Sequence, residues 1–447
     1  MRGLILFLTI GMASQAQTFT TLASFDGTNG ENPGNESLVE GLDAGLYGTT
    51  RNGGAYRRGT VFVMTAGGQL NTVTSVYTGK GPDGSLAMTS AGGFYGTTAY
   101  GGAAQCGSIF KTTAGGRHTD LYTFNCMDGS QPFAGLTQAF DGRFYGTTNS
   151  GGTYGEGTVY RITSAGMLTI LHDFPGFKAA QDGAYPMGEI LQAASGLLYG
   201  ATEEGGAEGF GTVFSMAANG KVTVVYNFHN DDGRSPWAPV EGRDGKLYGV
   251  TNEGGAKTLG TVYQLTPDGV LDTLVTFAGS NGSRPFGQLA LGTDGNFYGT
   301  TSQGGDHNAG TIFQVTPSGG FTVLHSFSGS DGASPLGGLV QRTDGSFYGT
   351  TDTGGARSKG TVFRLSMGLG PFVRSVPWFG AAGAKVAIIG TDLTGATSVT
   401  FNGTAAVFTV VSPTEIQTTV PAGASTGVLQ VVTPGGTLAG NVAFQVL

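Results

Sequence analysis

"DGNFYGTTSQGGDHNAGTIFQVT" (Asp294 to Thr316) holds paired glycines, carboxylates, a histidine and hydroxyls, the residue types of a phosphate cradle or a metal loop. A phosphate cradle needs a helix N-terminus behind its glycines, usually with Lys-Ser/Thr. Here strand-like runs flank the loop, so the glycines read as turn residues with positive φ. A calcium loop concentrates several oxygen ligands at alternate positions. Asp128, Asp182, Asp232 and Asp331 instead occur singly, once per return loop, and read as turn formers. "GASTG" (Gly423 to Gly427) fits the G-x-S-x-G pattern, yet no histidine follows His325 and no strand-to-helix turn is expected there. No catalytic group, metal or cofactor is assigned on these grounds.

What decides the reading is recurrence. The string "YG[TAV]T" places Tyr47, Tyr95, Tyr145, Tyr199, Tyr248, Tyr298 and Tyr348 at spacings of 48, 50, 54, 49, 50 and 50 residues. The long interval contains an insertion near Pro175 to Ala180. A period near 50 marks a propeller or solenoid. Each unit has four strand-like runs separated by DG and glycine-rich turns, as a propeller blade has. The last unit stops after Ser366 without a fourth run, and an orphan run, Thr18 to Phe25, precedes the first. The expected fold is therefore all-β, a seven-bladed β-propeller closed by the N-terminal strand. The recurrent Tyr and Thr of "YGTT" are expected to pack between blades with their hydroxyls bonded to backbone.

Cys106 and Cys126 are the two cysteines, placed symmetrically about a turn near Gly115 and Gly116. Opposed positions on paired strands lie at disulfide distance, so a structural bond is expected, with a free thiol pair as the other reading.

Composition narrows the function. In 447 residues there are 83 glycines and only 12% charged residues, with a net charge of −8. An acidic chain lacks the basic face that displaces counterions from nucleic acid. Arg2, the apolar run Leu4 to Met12 and the small residues Ser14 to Ala16 read as a secretory signal cleaved after Ala16. The mature chain is expected to be secreted or associated with the cell envelope, without a transmembrane segment, and a monomer.

The pattern "DGxFYGTTxxGGxxxxGTVFxLT…FxxxDGxxP", from about Thr18 to Ser366, resembles the GloVer-type tandem repeat of exported bacterial proteins. That resemblance implies export and surface attachment and supplies no established activity. After a linker at 367–372, residues 373–447 resemble an IPT/TIG domain through "GTDLTGATSVTFNG" and "TEIQTTVPAGASTG", which implies an immunoglobulin-like sandwich. Short alternating runs between turns give the same expectation. Trp378 and Phe379, unusual at the entry of such a domain, are expected to pack against the propeller (17–366).

Variation between repeats concentrates in the loop between second and third runs. It offers Tyr56, Tyr100 and Tyr154, then Glu203, Glu204, Glu253, Asp306 and His307, and then a basic group of Arg357, Lys359, Arg51, Arg57 and Arg58. Aromatic planes beside polar groups suit sugars or peptides, although loop tips also vary without function. The leading expectation is an exported, non-catalytic binding or adhesion protein that presents this face to a glycan or a surface protein. A glycan-active hydrolase or lyase, using two carboxylates at the propeller mouth, is the first alternative. A structural envelope repeat without ligand is the second.

Overall fold

The computed structural model describes residues 17–35, 37–176 and 182–447. The signal at 1–16 and most of the Pro175 to Ala180 insertion lie outside them. All regular structure assigned in the described residues is β. The described residues up to Ser366 form seven antiparallel sheets with four-strand paths, in chain order except in the seventh, and a short separate pairing of Gly79–Lys80 with Tyr100–Gly101. The sixth sheet shows the pattern: Ser283–Leu291, Phe297–Gln303, Thr311–Val315 and Phe321–Ser326.

The second strand of each sheet is buried along its "YGTT" core, so both of its faces must pack. In four sheets the tyrosine ring lies against an aromatic of the next sheet, with centroids 4.3 Å apart for Tyr47–Phe94 and 4.0 Å for Tyr298–Phe347, and in the other three it packs in a cluster with a leucine of the next sheet. Where the preceding turn carries an aspartate, the hydroxyl donates to it, as Tyr298 does to Asp294 at 2.9 Å. The glycine leaves room for an aromatic of the third strand; a Cβ on Gly299 would lie 2.5 Å from the Phe313 ring. The first threonine reaches the next sheet, Thr300 Oγ1 donating to Gly337 O at 3.0 Å. The second meets a third-strand threonine of its own sheet, Thr301 and Thr311 hydroxyls being 2.8 Å apart. Packing and hydroxyl satisfaction therefore account for the repeated motif.

In the middle of the first strand the ladder slips, between Phe286 and Ala290 in the sixth sheet. There the first strands of neighbouring sheets meet backbone to backbone. A Cβ on Gly287 would lie 2.5 Å from Gly338 N.

The seventh sheet joins Val340–Gln341, Phe347–Thr351 and Thr361–Ser366 to the N-terminal strand Thr18–Ser24. Thr18 pairs with Ser366 and Ser24 with Thr361, antiparallel, with a bulge near Thr21. The first and seventh sheets touch: Asn32 N donates to Lys359 O at 3.1 Å. Cys106 and Cys126 form a disulfide with Cα atoms 5.4 Å apart. A bulge between Ile109 and Phe110 shifts that hairpin's register by one residue, so the bond closes just beyond the ladder and not between directly opposed strand residues. Cys126 has φ +71°, a conformation that Gly279 and Gly329 supply in other sheets.

The C-terminal region is a two-sheet sandwich. One sheet orders Arg374–Val376, Lys385–Ile389, Glu415–Thr419 and Phe408–Ser412; the other orders Thr404–Ala405, Ser398–Phe401, Leu429–Thr433 and Gly436–Ala439. Its core includes Val386, Ile388, Phe401, Ile416, Leu429 and Phe444. Trp378 and Phe379 both pack on Phe140 of the third sheet, with centroids 5.2 and 5.1 Å away. Phe372 N donates to Thr343 O at 3.0 Å, and Thr414 Oγ1 to Leu42 O at 2.8 Å. The sandwich thereby contacts the seventh and first sheets as well.

Candidate functional site

The loops between second and third strands and the returns between sheets share one edge of the array. The return aspartates fasten their own turns. Asp232 accepts from His229 N at 3.0 Å and from the Tyr226 hydroxyl at 2.6 Å. Asp331 accepts from Ser328 N at 2.8 Å and pairs with His325 Nε2 at 2.9 Å. These carboxylates are committed to the scaffold.

A second feature of the returns is not visible as a motif of side chains. The residue before each return proline has positive φ: Asn32, Gly81, Gln131, Tyr185, Ser235, Arg284 and Ser334, between 52° and 65°. Left-handed backbone is uncommon outside glycine. Here the scaffold imposes it, because each N–H donates to a loop carbonyl of the preceding sheet, as Tyr185 does to Glu156 O and Arg284 to Leu259 O, both at 2.8 Å. With the backbone fixed this way, the side chain is free to differ, and six residue types occupy the seven places. Sequence reasoning missed these residues. The recoverable signal was the recurrent proline, with a different residue before it in most repeats.

Beside them, the residues that follow "YGTT" also vary, and they bond to the first strand of the next sheet or of their own. Asn252 Nδ2 donates to Pro285 O of the next sheet at 3.3 Å, whereas Ser302 Oγ donates within its own sheet to Arg284 O at 2.9 Å.

The fourth to sixth sheets bring three expected residues together. Glu253 lies between two guanidinium groups, Arg284 Nη1 at 3.0 Å from Oε1 and Arg234 Nη1 at 3.6 Å from Oε2. Burial raises the Glu203 pKa above the ordinary carboxylate value; the charges of Glu204 and Glu253 push the same way and Arg234 opposes them. A hydrogen bond to Glu156 raises the Tyr185 hydroxyl, with burial and the charges of Glu156, Glu204 and Glu203 adding to it. Arg234, Glu253 and Arg284 thus form one ion-paired group, whose charges act on Glu203 and, with Glu156 and Glu204, lie near Tyr185. Asp306 and His307 are exposed at their loop tip, and among the described residues neither side chain forms a hydrogen bond or ion pair. Tyr56 and Tyr154 are each 58% exposed and Tyr100 41%. Tyr100 packs edge-on to Phe133 at 6.1 Å, and Tyr56 to Tyr77 at 6.4 Å.

The basic group differs from the expectation of a free positive sector. Arg51 pairs with Asp352 and lies 3.7 Å from Asp83, Lys359 pairs with Glu31, and Arg58 Nη1 donates to Tyr77 O at 3.0 Å. Folding places acidic residues of other sheets beside these cations. Arg57 and Lys359 still border a cleft of about 440 Å³ with Asp26 and Glu31.

The Gloeobacter/Verrucomicrobia repeat family matches residues 8–208 and 175–363, and the IPT/TIG domain family matches 371–446. No curated protein matches. Among solved structures, a fungal alcohol oxidase of the AA5 family, in complex with copper, is 12% identical over 96% of this chain and 98% of its own, with a TM-score of 0.52. The extracellular domain of a candidate hybrid two-component system from B. thetaiotaomicron is 14% identical over 93% of this chain and 53% of its own, at 0.51. At such identities the likeness concerns the fold alone. Among the described residues no three His, Cys, Asp or Glu side chains gather as a metal-ligand group.

Proposed function

We propose, for a chain that belongs to the Gloeobacter/Verrucomicrobia repeat family and ends in an IPT/TIG domain, a seven-bladed propeller that works as an exported, non-catalytic glycan-binding protein. In this reading residues 17–366 close into a ring, with Thr18–Ser24 as the outer strand of the last blade, and 373–447 form a spacer or docking module after a linker at 367–372. The pairing of Thr18 with Ser366 and the contact between first and seventh sheets support closure. Closure also removes exposed sheet edges that would invite association.

One observation carries the functional reading. Seven near-copies of one scaffold hold seven left-handed positions in the same backbone geometry, and the side chains there differ. A purely structural repeat has no reason to vary at the places where its backbone is most constrained. Around the mouth these positions and their neighbours present amides, hydroxyls, carboxylates and guanidinium groups beside Tyr100 and Phe133. Planar groups with paired donors and acceptors next to aromatic faces are suited to the hydroxyls and apolar faces of sugars. The hydrolase alternative is weaker because both Glu253 oxygens already face arginines.

A glycan array with the secreted protein, run beside a reducing-sugar release assay, tests this. Binding without release is expected, weakened about tenfold or more by Arg284→Ala or Tyr185→Ala. Sugar release abolished by Glu203→Gln would replace the reading with an enzyme. Silence in both, with retention on a protein array, would make the ligand a protein. Mass spectrometry of the secreted form should find Gln17 at its N-terminus, as cleavage after Ala16 requires.

A further inference from the structure

We propose that the loop rim running from the seventh sheet across the first to the second binds an anionic glycan, a chain whose sugar rings carry carboxylate or sulfate groups. The inference rests on the glycan-binding reading of the preceding subsection and names the class of sugar and the part of the face that takes it. Loops 51–58, 77–81 and 353–359 hold six cations, Arg51, Arg57, Arg58, Lys80, Arg357 and Lys359, and no carboxylate, in a chain of net charge −8. Folding pairs two of them, Arg51 with Asp352 and Lys359 with Glu31. Arg58 gives one N–H to Tyr77 O at 3.0 Å. Arg57, Lys80 and Arg357 are exposed, and among the described residues their side chains form no hydrogen bond or ion pair.

Arg57 stands out among them. Its backbone is left-handed, φ +54°, where the third and fourth sheets have Gly155 and Gly209 and the sixth has Asn308. Glycine and asparagine adopt that conformation readily and arginine does not. The fold draws nothing from its guanidinium in return. Arg57 borders the cleft of about 440 Å³ between the seventh and first sheets, a volume in the range of small-ligand sites. Of the acids in that lining, Glu31 is paired with Lys359, and Asp26 accepts from Thr28 N, Thr28 Oγ1 and Asn29 N at 2.8, 2.6 and 3.0 Å. Hydrogen bonds from Thr28 and Asn29 hold the Asp26 carboxyl below its ordinary value, and the Arg357 charge adds to them. Both acids thus have partners within the fold, and Arg57 is the charge left over.

Exposed rings continue from the cleft along the rim. Tyr56, next to Arg57, lies edge-on to Tyr77 with centroids 6.4 Å apart. Tyr77 occupies a place that Asn125, His229, Ala278 and Ser328 hold in other returns, so the pair is particular to this boundary. Beyond it, the short pairing of Gly79–Lys80 with Tyr100–Gly101 sets Lys80 beside Tyr100. Cations thus alternate with aromatic faces. Guanidinium groups pair with carboxylate or sulfate oxygens in matched geometry, and aromatic faces take the apolar side of a sugar ring. A nucleic acid would also meet cations and rings, but Asp26 and Glu31 favour a glycan. Sugar hydroxyls donate to them, whereas a phosphate backbone is repelled.

The test is a titration of the full secreted chain, at low and at high salt, with an oligogalacturonate, a heparin oligosaccharide, a neutral cello-oligosaccharide and an oligodeoxythymidine. One or both acidic oligosaccharides should bind, and which of them does separates carboxylate from sulfate. High salt should weaken that binding. Arg57→Ala with Arg357→Ala should weaken it about tenfold or more, and Tyr56→Ala several-fold. Arg57→Gly suits the left-handed backbone, so it should weaken binding while the melting temperature holds or rises, which separates recognition from folding. Equal binding of neutral and acidic oligosaccharides, or acidic binding untouched by Arg57→Gly and by the double variant, overturns the inference and leaves the glycan reading in place. Tighter binding of the oligodeoxythymidine than of either acidic oligosaccharide overturns it in favour of a nucleic-acid site. No binding of either acidic oligosaccharide overturns it too, and the glycan array then shows whether the wider reading falls with it.

Discussion

The seventh sheet and the sixth solve one packing problem with differently connected chain. In the sixth, four strands follow one another through short turns. In the seventh, Thr18–Ser24 pairs with a strand hundreds of residues away. Because loop-closure entropy grows with the logarithm of length, that difference costs only about 3 kcal/mol. The boundaries beside the two sheets also differ in chemistry. Between fifth and sixth sheets, Tyr248 stacks on Phe297 with centroids 4.0 Å apart. Where the seventh meets the first, Leu46 stands at the place of Phe297, as Leu198 and Leu247 do at two other boundaries, and Tyr348 shares its cluster with it. Charges gather there: Glu40, 1% exposed, accepts from Thr343 N at 3.0 Å and Thr343 Oγ1 at 2.7 Å, with Arg342 Nε at 3.4 Å. Lys359–Glu31 and Arg51–Asp352 cross the same boundary. The fifth–sixth boundary carries one ion pair, Glu253–Arg284, beside its stacked rings, whereas the meeting of the two ends gathers three sets of paired charges, which tolerate fewer wrong partners.

The largest expected effect comes from breaking that meeting. A mature chain lacking residues 17–24 should lose its cooperative melt and associate, because the strand Thr361–Ser366 becomes an open edge; a native-like melt and a monomeric elution would show the strand to be dispensable. Next is the covalent fastening of the second sheet. Cys106→Ser with Cys126→Ser should cost about 2–4 kcal/mol in denaturant unfolding, without loss of fold. Stacking in the sixth sheet can be probed with Gly299→Ala, whose new methyl meets the Phe313 ring; a loss of about 1–3 kcal/mol is expected.

Acidity sharpens the comparison further. Burial pushes Asp83 up to about 6 and Glu189 up to about 7, from ordinary values of 3.8 and 4.5. A raised folded-state pKa means that the folded form holds the proton more tightly. Stability from these groups is full at low pH and is lost as pH rises through about 4 to 7. Melting temperature should fall across that window, and Glu189→Gln should flatten the upper part. The smallest effect has the opposite sign. The Tyr160 hydroxyl is buried with no partner among the described residues, while Tyr263 at the same place in the fifth sheet donates to Trp237 O at 3.3 Å. Tyr160→Phe should be neutral or stabilising by up to about 1 kcal/mol, and Tyr263→Phe should not stabilise.

Much of the fold could be read from residue order. The recurrence of Tyr298 and its six counterparts, the DG turns and the orphan run before the first unit located strands, turns and the N-terminal pairing, because packing between like sheets demands the same residues each time. The charges were less legible. Arg51 meets Asp83 and Asp352 only after folding, so counting cations in neighbouring loops suggested a basic sector that the pairing neutralises in part. Arg284 and Tyr185 escaped notice for a different reason. Neither is a turn former by type, and their left-handed backbone is dictated by hydrogen bonds from another sheet and not by their own side chains.

The pairing of Thr18 with Ser366 has a mechanical consequence. The two ends of that ladder lie side by side, and the next residues lead to the N-terminus and to the IPT/TIG domain. Tension applied between those two ends pulls the strands apart from one end, so the hydrogen bonds bear the load one after another instead of all at once. A protein tethered by one end and pulled by the other would unzip at a low force, while a pull on the mouth against the C-terminal domain would leave that ladder unloaded.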